Sequence, residues 1–410
     1  KKGGLPMSAS GFPILIQEGL RPVYYDKFHC LAEGCRLSCC KGWSITFNKK
    51  DYLALRRQSG SPELMERLTG LRRVRDPNAA ENRYGEFTME GGTCALLRED
   101  CLCALQAERG PDALPEVCRN FPRTWAYQPS GYLERSLTPA CEGVLALLWD
   151  LPGGLEFLSD PLTKEQRRSM TVEEDSLLPF FQPIRSLCID LLQDRRAPLP
   201  RRILLVAMAL KELAEGERDL PAWLERSRSL PETAAGLDTE ETDSAAALFL
   251  SNNLHTLLRL RSLSDDFNRL SGELLFALGI QTHGLARVKL SLAPYRAARE
   301  RFEECFKERE YFMENLMTAL FFHLHLPDVT SGEALWKSCV NFCNLYSFYR
   351  FMAVMSCREG SAGNREELFR SLVHVSRSLL HNGAQRSALR DELFQNDSAT
   401  LAHMAILLGG

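Results

Sequence analysis

The chain has 410 residues, 45% of them hydrophobic and 25% charged, with 50 basic against 53 acidic side chains and a formal net charge of −3. That length predicts two or three domains, and the composition is that of a chain able to bury a sizeable core. Balanced charge excludes a polycationic nucleic-acid or membrane footprint, and the mixed composition excludes collagen-like repeats and extreme disorder.

No apolar run approaches the roughly 20 residues that span a bilayer. The best, Leu316 to Leu326, is short and carries His323 and His325. At the N-terminus the apolar run from Phe12 to Ile16 is broken by Pro13 and too short for a secretory signal. Residues 1–20 therefore read as a flexible leader, and the chain as a soluble cytoplasmic protein.

Residues 21–150 read as mixed and loop-rich. Trp43 to Phe47 alternate like a short strand, and Asn48 caps a helix through Asp51, Tyr52, Leu53 and Leu55. Residues 71–93 are polar and glycine-bearing, the composition of a linker. Leu114 to Val117 begin a helical turn that delivers Cys118, and Gln128-Pro-Ser-Gly131 between two strand-like runs predicts a hairpin. Cys141 opens the apolar run from Val144 to Trp149, a predicted helix.

Beyond Pro152 the periodicity becomes helical. Helices are predicted over 178–194, 201–215, 241–260, 264–279, 292–326, 332–357 and 364–381. Asn364 with Glu367 three residues later forms a capping pair, and Asn382-Gly383 ends the same helix. Residues 160–176 and 217–240 read as charged, proline-punctuated connections, and no strand is predicted after residue 150. The expected fold is mainly α, with an irregular, metal-organised Cys-rich domain with short strands over 21–150 and an all-helical domain over 151–410.

The fourteen cysteines are unevenly spread. Cys188, Cys305, Cys339, Cys343 and Cys357 lie in apolar helical sequence and read as small buried hydrophobes. The others cluster as Cys30, Cys35, Cys39 and Cys40, then Cys94, Cys101 and Cys103, then Cys118 and Cys141. Three chemistries compete for that cluster. Disulfides need an oxidising compartment, for which no export signal speaks. Structural zinc favours Cys-x2-4-Cys knuckles; Cys35 and Cys39 fall in that range and His29 could serve as a ligand, but no Cys-x2-Cys pair occurs. An iron–sulfur cube takes one thiolate per iron from separated loops, which suits this spread. Adjacent Cys39 and Cys40 point apart on regular backbone, so they would serve different irons, or one would ligate while the other packs. The Cys-x3-Cys-x2-Cys signature of radical S-adenosylmethionine enzymes is absent, since Gly42 takes its third position. Glycine-rich nucleotide loops and the zincin and hydrolase motifs are also absent, and with them the strand–helix alternation of a Rossmann fold.

Phe28-His-Cys30, Cys35 and Cys39-Cys40-Lys-Gly-Trp43 resemble the opening signature of the bacterial flagellin lysine-N-methylases, whose Cys-rich element is shared with zinc- or iron-chelating CxxxCC proteins. The resemblance continues through Cys94-Ala-Leu-Leu97 with Cys103, Cys118-Arg-Asn-Phe-Pro-Arg123 and Arg135-Ser-Leu-Thr-Pro-Ala-Cys141. In the helical half, Tyr311 to Pro327 and Ser376-Arg-Ser-Leu-Leu-His-Asn382 are similar to family elements. The match runs from about residue 24 to 395 in order. It departs at Cys101, where the family has a non-cysteine loop residue, and at Ala95 and Glu142, where the family commonly has proline.

The resemblance implies methyl transfer from S-adenosylmethionine to lysine side chains of flagellin, with an iron–sulfur cluster ([4Fe-4S], or zinc in its place) and no nucleic-acid or membrane partner. It implies that Cys35, Cys39, Cys94, Cys103 and Cys118 include most of the metal ligands, with Cys30, Cys40 and Cys141 as further candidates. Arg119 and Arg123 flank Cys118 and would offset cluster charge or grip the donor's carboxylate; a salt bridge to a nearby acid is the plain alternative. Tyr24, Tyr25, Trp43 and Glu142 are near cysteines and could surround a sulfonium, or do ordinary core and surface duty. Arg377 and His381 share a helix face, where His381 would act as a C-terminal cation. No residue stands out as catalytic base. The competing function is a non-catalytic zinc- or iron-binding carrier or adaptor.

Overall fold

The computed structural model describes residues 11–76, 80–128, 131–173, 177–233, 242–260, 264–280 and 291–409. Its first part is a string of short elements: β1 (Gly11–Ile16), β2 (Glu18–Pro22), β3 (Thr46–Phe47), α1 (Lys49–Leu55), α2 (Pro62–Leu68), β4 (Leu71–Arg73), β5 (Gly85–Phe87), β6 (Met89–Glu90), β7 (Thr93–Cys94), α3 (Ala104–Arg109), α4 (Glu116–Asn120), β8 (Arg123–Tyr127), β9 (Tyr132–Leu137) and α5 (Glu142–Trp149). Asn48 caps α1 as predicted, its side chain accepting from the Asp51 amide at 2.9 Å. The hairpin β8–β9 also forms, with Arg123 opposite Leu137, while Pro129 and Ser130 of its turn lie outside the described residues. The stretch expected as a linker over 71–93 instead holds β4, β5 and β6. Two- and three-residue strands are too short to show alternation in sequence.

Two expectations fail here. Residues 11–22, assigned largely to a leader, form β1 and β2. After residue 150, where no strand was expected, β10 (Phe157–Pro161) and β11 (Arg168–Glu173) occur. The two failures share one cause. β1 pairs antiparallel with β11, and β10 pairs antiparallel with β2 in a sheet ordered β10-β2-β9-β8. Each strand satisfies its backbone with a partner more than a hundred residues away, so neither segment carries its own signal.

Helices follow: α6 (Phe181–Leu192), α7 (Leu199–Ala214), α8 (Leu220–Thr233), α9 (Asp243–Leu260), α10 (Asp265–Ala277), α11 (Ala293–Phe306), α12 (Tyr311–His323), α13 (Gly332–Met355), α14 (Arg365–Leu380), α15 (Gly383–Gln395) and α16 (Leu401–Gly409). The single helix expected over 292–326 is two, α11 and α12, with a 3-10 turn at Lys307–Arg309 between them. α13 is the hub, buried along most of Leu335 to Met355 and packed against α7, α9, α11, α14, α15 and α16. A helix apolar all round has no solvent face to offer, which places it centrally.

Two hydrophobic cores matter for the site. The larger unites Tyr24, Phe28, Leu137, Val144, Leu145 and Leu148 with the helices. The smaller packs Ile45, Phe47, Leu55, Leu64, Leu68, Phe87, Leu96, Leu97, Leu105 and Leu114 around Cys40 and Cys94.

Candidate metal centre and adjoining cavity

Local backbone chemistry brings the cysteines together. The segment after Cys39 and Cys40 turns at Gly42, whose φ of +83° is the left-handed region that glycine tolerates. There the Gly42 amide donates to the Gly92 carbonyl at 2.8 Å and the Cys94 amide to the Cys40 carbonyl at 2.8 Å. This pins Cys40 beside β7. Leu97 bridges to Cys103, the N-cap of α3, and α4 carries Cys118.

The outcome is an inner group. Cys40 is electrostatically linked to the thiols of Cys39, Cys94 and Cys103, and Cys118 feels the charge of Cys39, Cys103 and Cys94. The pKa of Cys40 is pushed up by its three neighbours. The same link brings Cys39 and Cys103 down to about 7 and lowers Cys94 as well. Burial pushes the Cys118 thiol up.

An outer group lies against α5. Cys141 is its N-cap, and burial raises its thiol to about 11. Cys35 is raised to about 12, first by burial and then by the Glu142 carboxylate 3.6 Å from its sulfur. Glu142 accepts from the amides of Arg36 and Leu37 at 2.8 and 3.0 Å, so it orders the loop. Cys30 is exposed but within charge range of Cys141. Cys101 is exposed, with φ of +63°, and stands outside both groups.

An all-thiol donor set in apolar surroundings suits a soft ion, zinc or an iron–sulfur cluster. Among the described residues no three metal-ligating side chains are already drawn around a single point. The fit therefore lies in donor chemistry and grouping: Cys39, Cys40, Cys94 and Cys103 would hold the metal, with Cys118 nearest of the rest. To bind a metal there, the four thiols would have to ionise, the Cys40 proton leaving to solvent.

The cation that reaches the thiols is Arg377 of α14. Its buried guanidinium donates to the carbonyls of Leu37 (2.6 Å), Lys41 (3.1 Å) and Ala140 (3.2 Å), and its charge favours the Cys39 thiolate. Sequence reasoning paired Arg377 only with His381 on its own helix; the sole signal for the wider role was its place in a family-like segment. His381 corrects an expectation. Burial lowers its pKa to about 4, so it is a neutral ring rather than a helix-terminal cation. Its edge stands 4.5 Å from Trp43, centroid to centroid.

A cavity of about 650 Å³ is lined by Trp43, by Val117 next to Cys118 in the chain, and by no cysteine among the described residues. Its walls come from both halves of the chain: Trp43, Asp51, Glu116, Phe121 and Trp125 on one side, His323 and His381 on the other. Trp43 joins cavity to cysteines, since its Nε1–H donates to the Cys39 carbonyl at 2.8 Å. His323 lies 2.8 Å from Ser136 Oγ and 3.3 Å from Thr124 Oγ1; burial lowers its pKa to about 3. Two residues along, His325 Nδ1 lies 2.8 Å from buried Glu134, which also pairs with Arg185. Glu134 and Ser136 share a face of β9, which locks the end of α12 to the sheet. Arg123 lines the cavity, but its guanidinium donates to the Phe28 carbonyl (3.1 Å) and lies over the Phe28 and Tyr25 rings. Arg119 is exposed. Tyr24 is buried in the larger core.

Residues 185–407 match the FliB lysine N-methylase C-terminal domain. The chain belongs to the FliB lysine N-methylase family. Residues 29–141 match a zinc- or iron-chelating domain, which covers all eight cysteines singled out by sequence. A lysine-N-methylase of Salmonella typhimurium is 29% identical over 177 residues, 42% of this chain and 41% of that protein. The flagellar biosynthetic protein FliU of Salmonella muenchen is 29% identical over 173 residues, 41% of this chain and 94% of FliU. The match thus spans about two-fifths of the lysine-N-methylase it resembles. No solved structure matches the chain. No described helix is long and apolar enough to cross a membrane.

Proposed function

We propose that this protein methylates lysine side chains of flagellin, taking the methyl group from S-adenosylmethionine, with an iron–sulfur cluster held by Cys39, Cys40, Cys94 and Cys103. The observation that carries the reading is Trp43, which lines a large cavity and donates to the Cys39 carbonyl, in a chain of the FliB family. Bound there, the donor supplies an electrophilic methyl on a sulfonium and the cluster supplies a redox-capable metal beside it.

The chain's own residues have three tasks. Arg377 holds the loop bearing Cys39 and Cys40 against α14, so the cavity keeps its shape. The aromatic walls offer an entering lysine less polar surroundings than water, and the desolvation this brings lowers its pKa from near 10.4, favouring the neutral amine that can attack. Neutral His323 and His381 line the cavity without adding positive charge that would repel either reactant.

The test is mass spectrometry of the cognate flagellin after coexpression. Lysine residues should gain the mass of a methyl group with the wild-type protein and lose that gain with Cys94→Ser or Cys118→Ser. Unmodified flagellin beside metal-loaded protein with donor present would favour a non-catalytic metal carrier or adaptor instead.

A further inference from the structure

Three rings meet at one corner of the cavity. Trp43 and Phe121 lie 5.9 Å apart and 26° from parallel. His381 stands edge-on to both, at 4.5 Å and 88° from Trp43 and at 6.1 Å and 69° from Phe121. Trp125, 49% exposed, extends the aromatic wall. Trp43 also packs against the smaller core, and all three rings line the cavity.

The charge around them is mixed: the carboxylates of Asp51 and Glu116 share the wall with Arg123, and Arg377 lies within charge range of His381. Asp51 and Glu116 both border the cavity, tied together by the Glu116 amide donating to Asp51 Oδ2 at 3.0 Å. The one arginine on the wall, Arg123, spends its guanidinium on the Phe28 carbonyl and on two rings. Aromatic faces and carboxylates around a cavity attract organic cations, through the ring quadrupole and through Coulomb attraction at reduced dielectric.

We propose that the Trp43–Phe121–His381 corner, with Asp51, is the subsite for an organic cation: an alkylammonium, as on a lysine side chain, or a sulfonium. This rests on the methylation reading for why such cations come to the protein, but its binding test needs no turnover. Trp43 is the central wall, because its hydrogen bond to the Cys39 carbonyl ties the subsite to the loop of the inner cysteines.

The experiment measures equilibrium binding to the full-length protein in two matched pairs. One pair is a single-lysine peptide and the same peptide with norleucine; the other is S-adenosylmethionine and its neutral sulfide, S-adenosylhomocysteine. Wild-type protein should prefer the charged member of at least one pair. Asp51→Asn, which keeps shape, and Trp43→Leu should each erode that preference by about tenfold, while Trp43→Phe keeps most of it. The neutral member of each pair reports whether a variant still folds. Loss in the peptide pair assigns the corner to the acceptor, and loss in the donor pair assigns it to the sulfonium. A preference absent from wild type, or indifferent to Asp51→Asn, overturns the proposal. Flagellin methylated by a protein with an indifferent corner would sink this subsite alone. A charge-selective corner on a protein that leaves flagellin unmodified would sink the methylation reading alone.

Discussion

Single side chains at this site are governed by burial more than by sequence neighbours. His323 and His374 show the effect most cleanly, being lowered by burial to about 3 and about 4 from an ordinary value near 6.5. His374 also faces Arg377, Arg370 and Arg269, which lower it further, and Asp266, which opposes them. A depressed folded pKa means that below pH 6.5 the unfolded chain binds protons that the folded chain refuses. Stability from these rings is therefore complete above about pH 6.5 and is lost as pH falls towards 4 and then 3. Each contributes on the order of 3–5 kcal/mol across that window. Thermal unfolding followed from pH 7 to pH 4 should show a falling Tm, with a shallower fall for His374→Phe. An identical slope in that variant would remove His374 from the account. Only the burial of these rings decides this; no pattern in the flanking residues announces it.

Helix termini and apolar spacing carry the local story. Asn364 accepts from the Glu367 amide at 3.1 Å, the cap read from sequence, and α14 then runs Arg365–Leu380. This helix delivers Arg377 to the cysteine loop, so its first turn supports the site from a distance. Asn364→Ala should cost about 1 kcal/mol, seen as a lower urea midpoint with unchanged slope, whereas Asn364→Ser should cost little. Elements missed by sequence reasoning are those with thin apolar stripes. α8 buries Leu220, Trp223 and Ser227 and carries Pro231 inside it, so it read as a connection. α15 buries only Leu389 and Leu393. Neither stripe is wide enough to stand out from a charged loop.

At the scale of the molecule, a cysteine-rich part with a small core meets a helical part with a large one. The smaller core is built from strands of two or three residues and helices of five to seven. α13 by contrast is 24 residues long and buried on all sides. Removing the metal should therefore loosen the first part selectively, because metal binding and folding are coupled where a core is small. Hydrogen exchange after anaerobic chelation should accelerate across residues 85–120 while α13 amides stay protected. Equal protection before and after chelation would show that the thiols' own interactions suffice.

Sequence by itself determined the chemistry and the helical class. Nine clustered cysteines stood out by residue type, eight of them in the order of the family resemblance, and most helices from 181 onward followed from spacing, though α8, α15 and α16 did not. The tertiary structure alone decided the rest. It sorted the thiols into an inner group around Cys40 and an outer group on α5, since thiol–thiol contact depends on β7, α3 and the turn at Gly42 together. It brought Arg377 into charge contact with Cys39 and hydrogen-bonded it to Lys41 across 336 positions of chain. It also paired β1 with β11 and β2 with β10, and closed the cavity between Trp43 and His381. All of these are contacts between distant segments, where the free energy comes from burial and hydrogen bonds that no local window of residues contains.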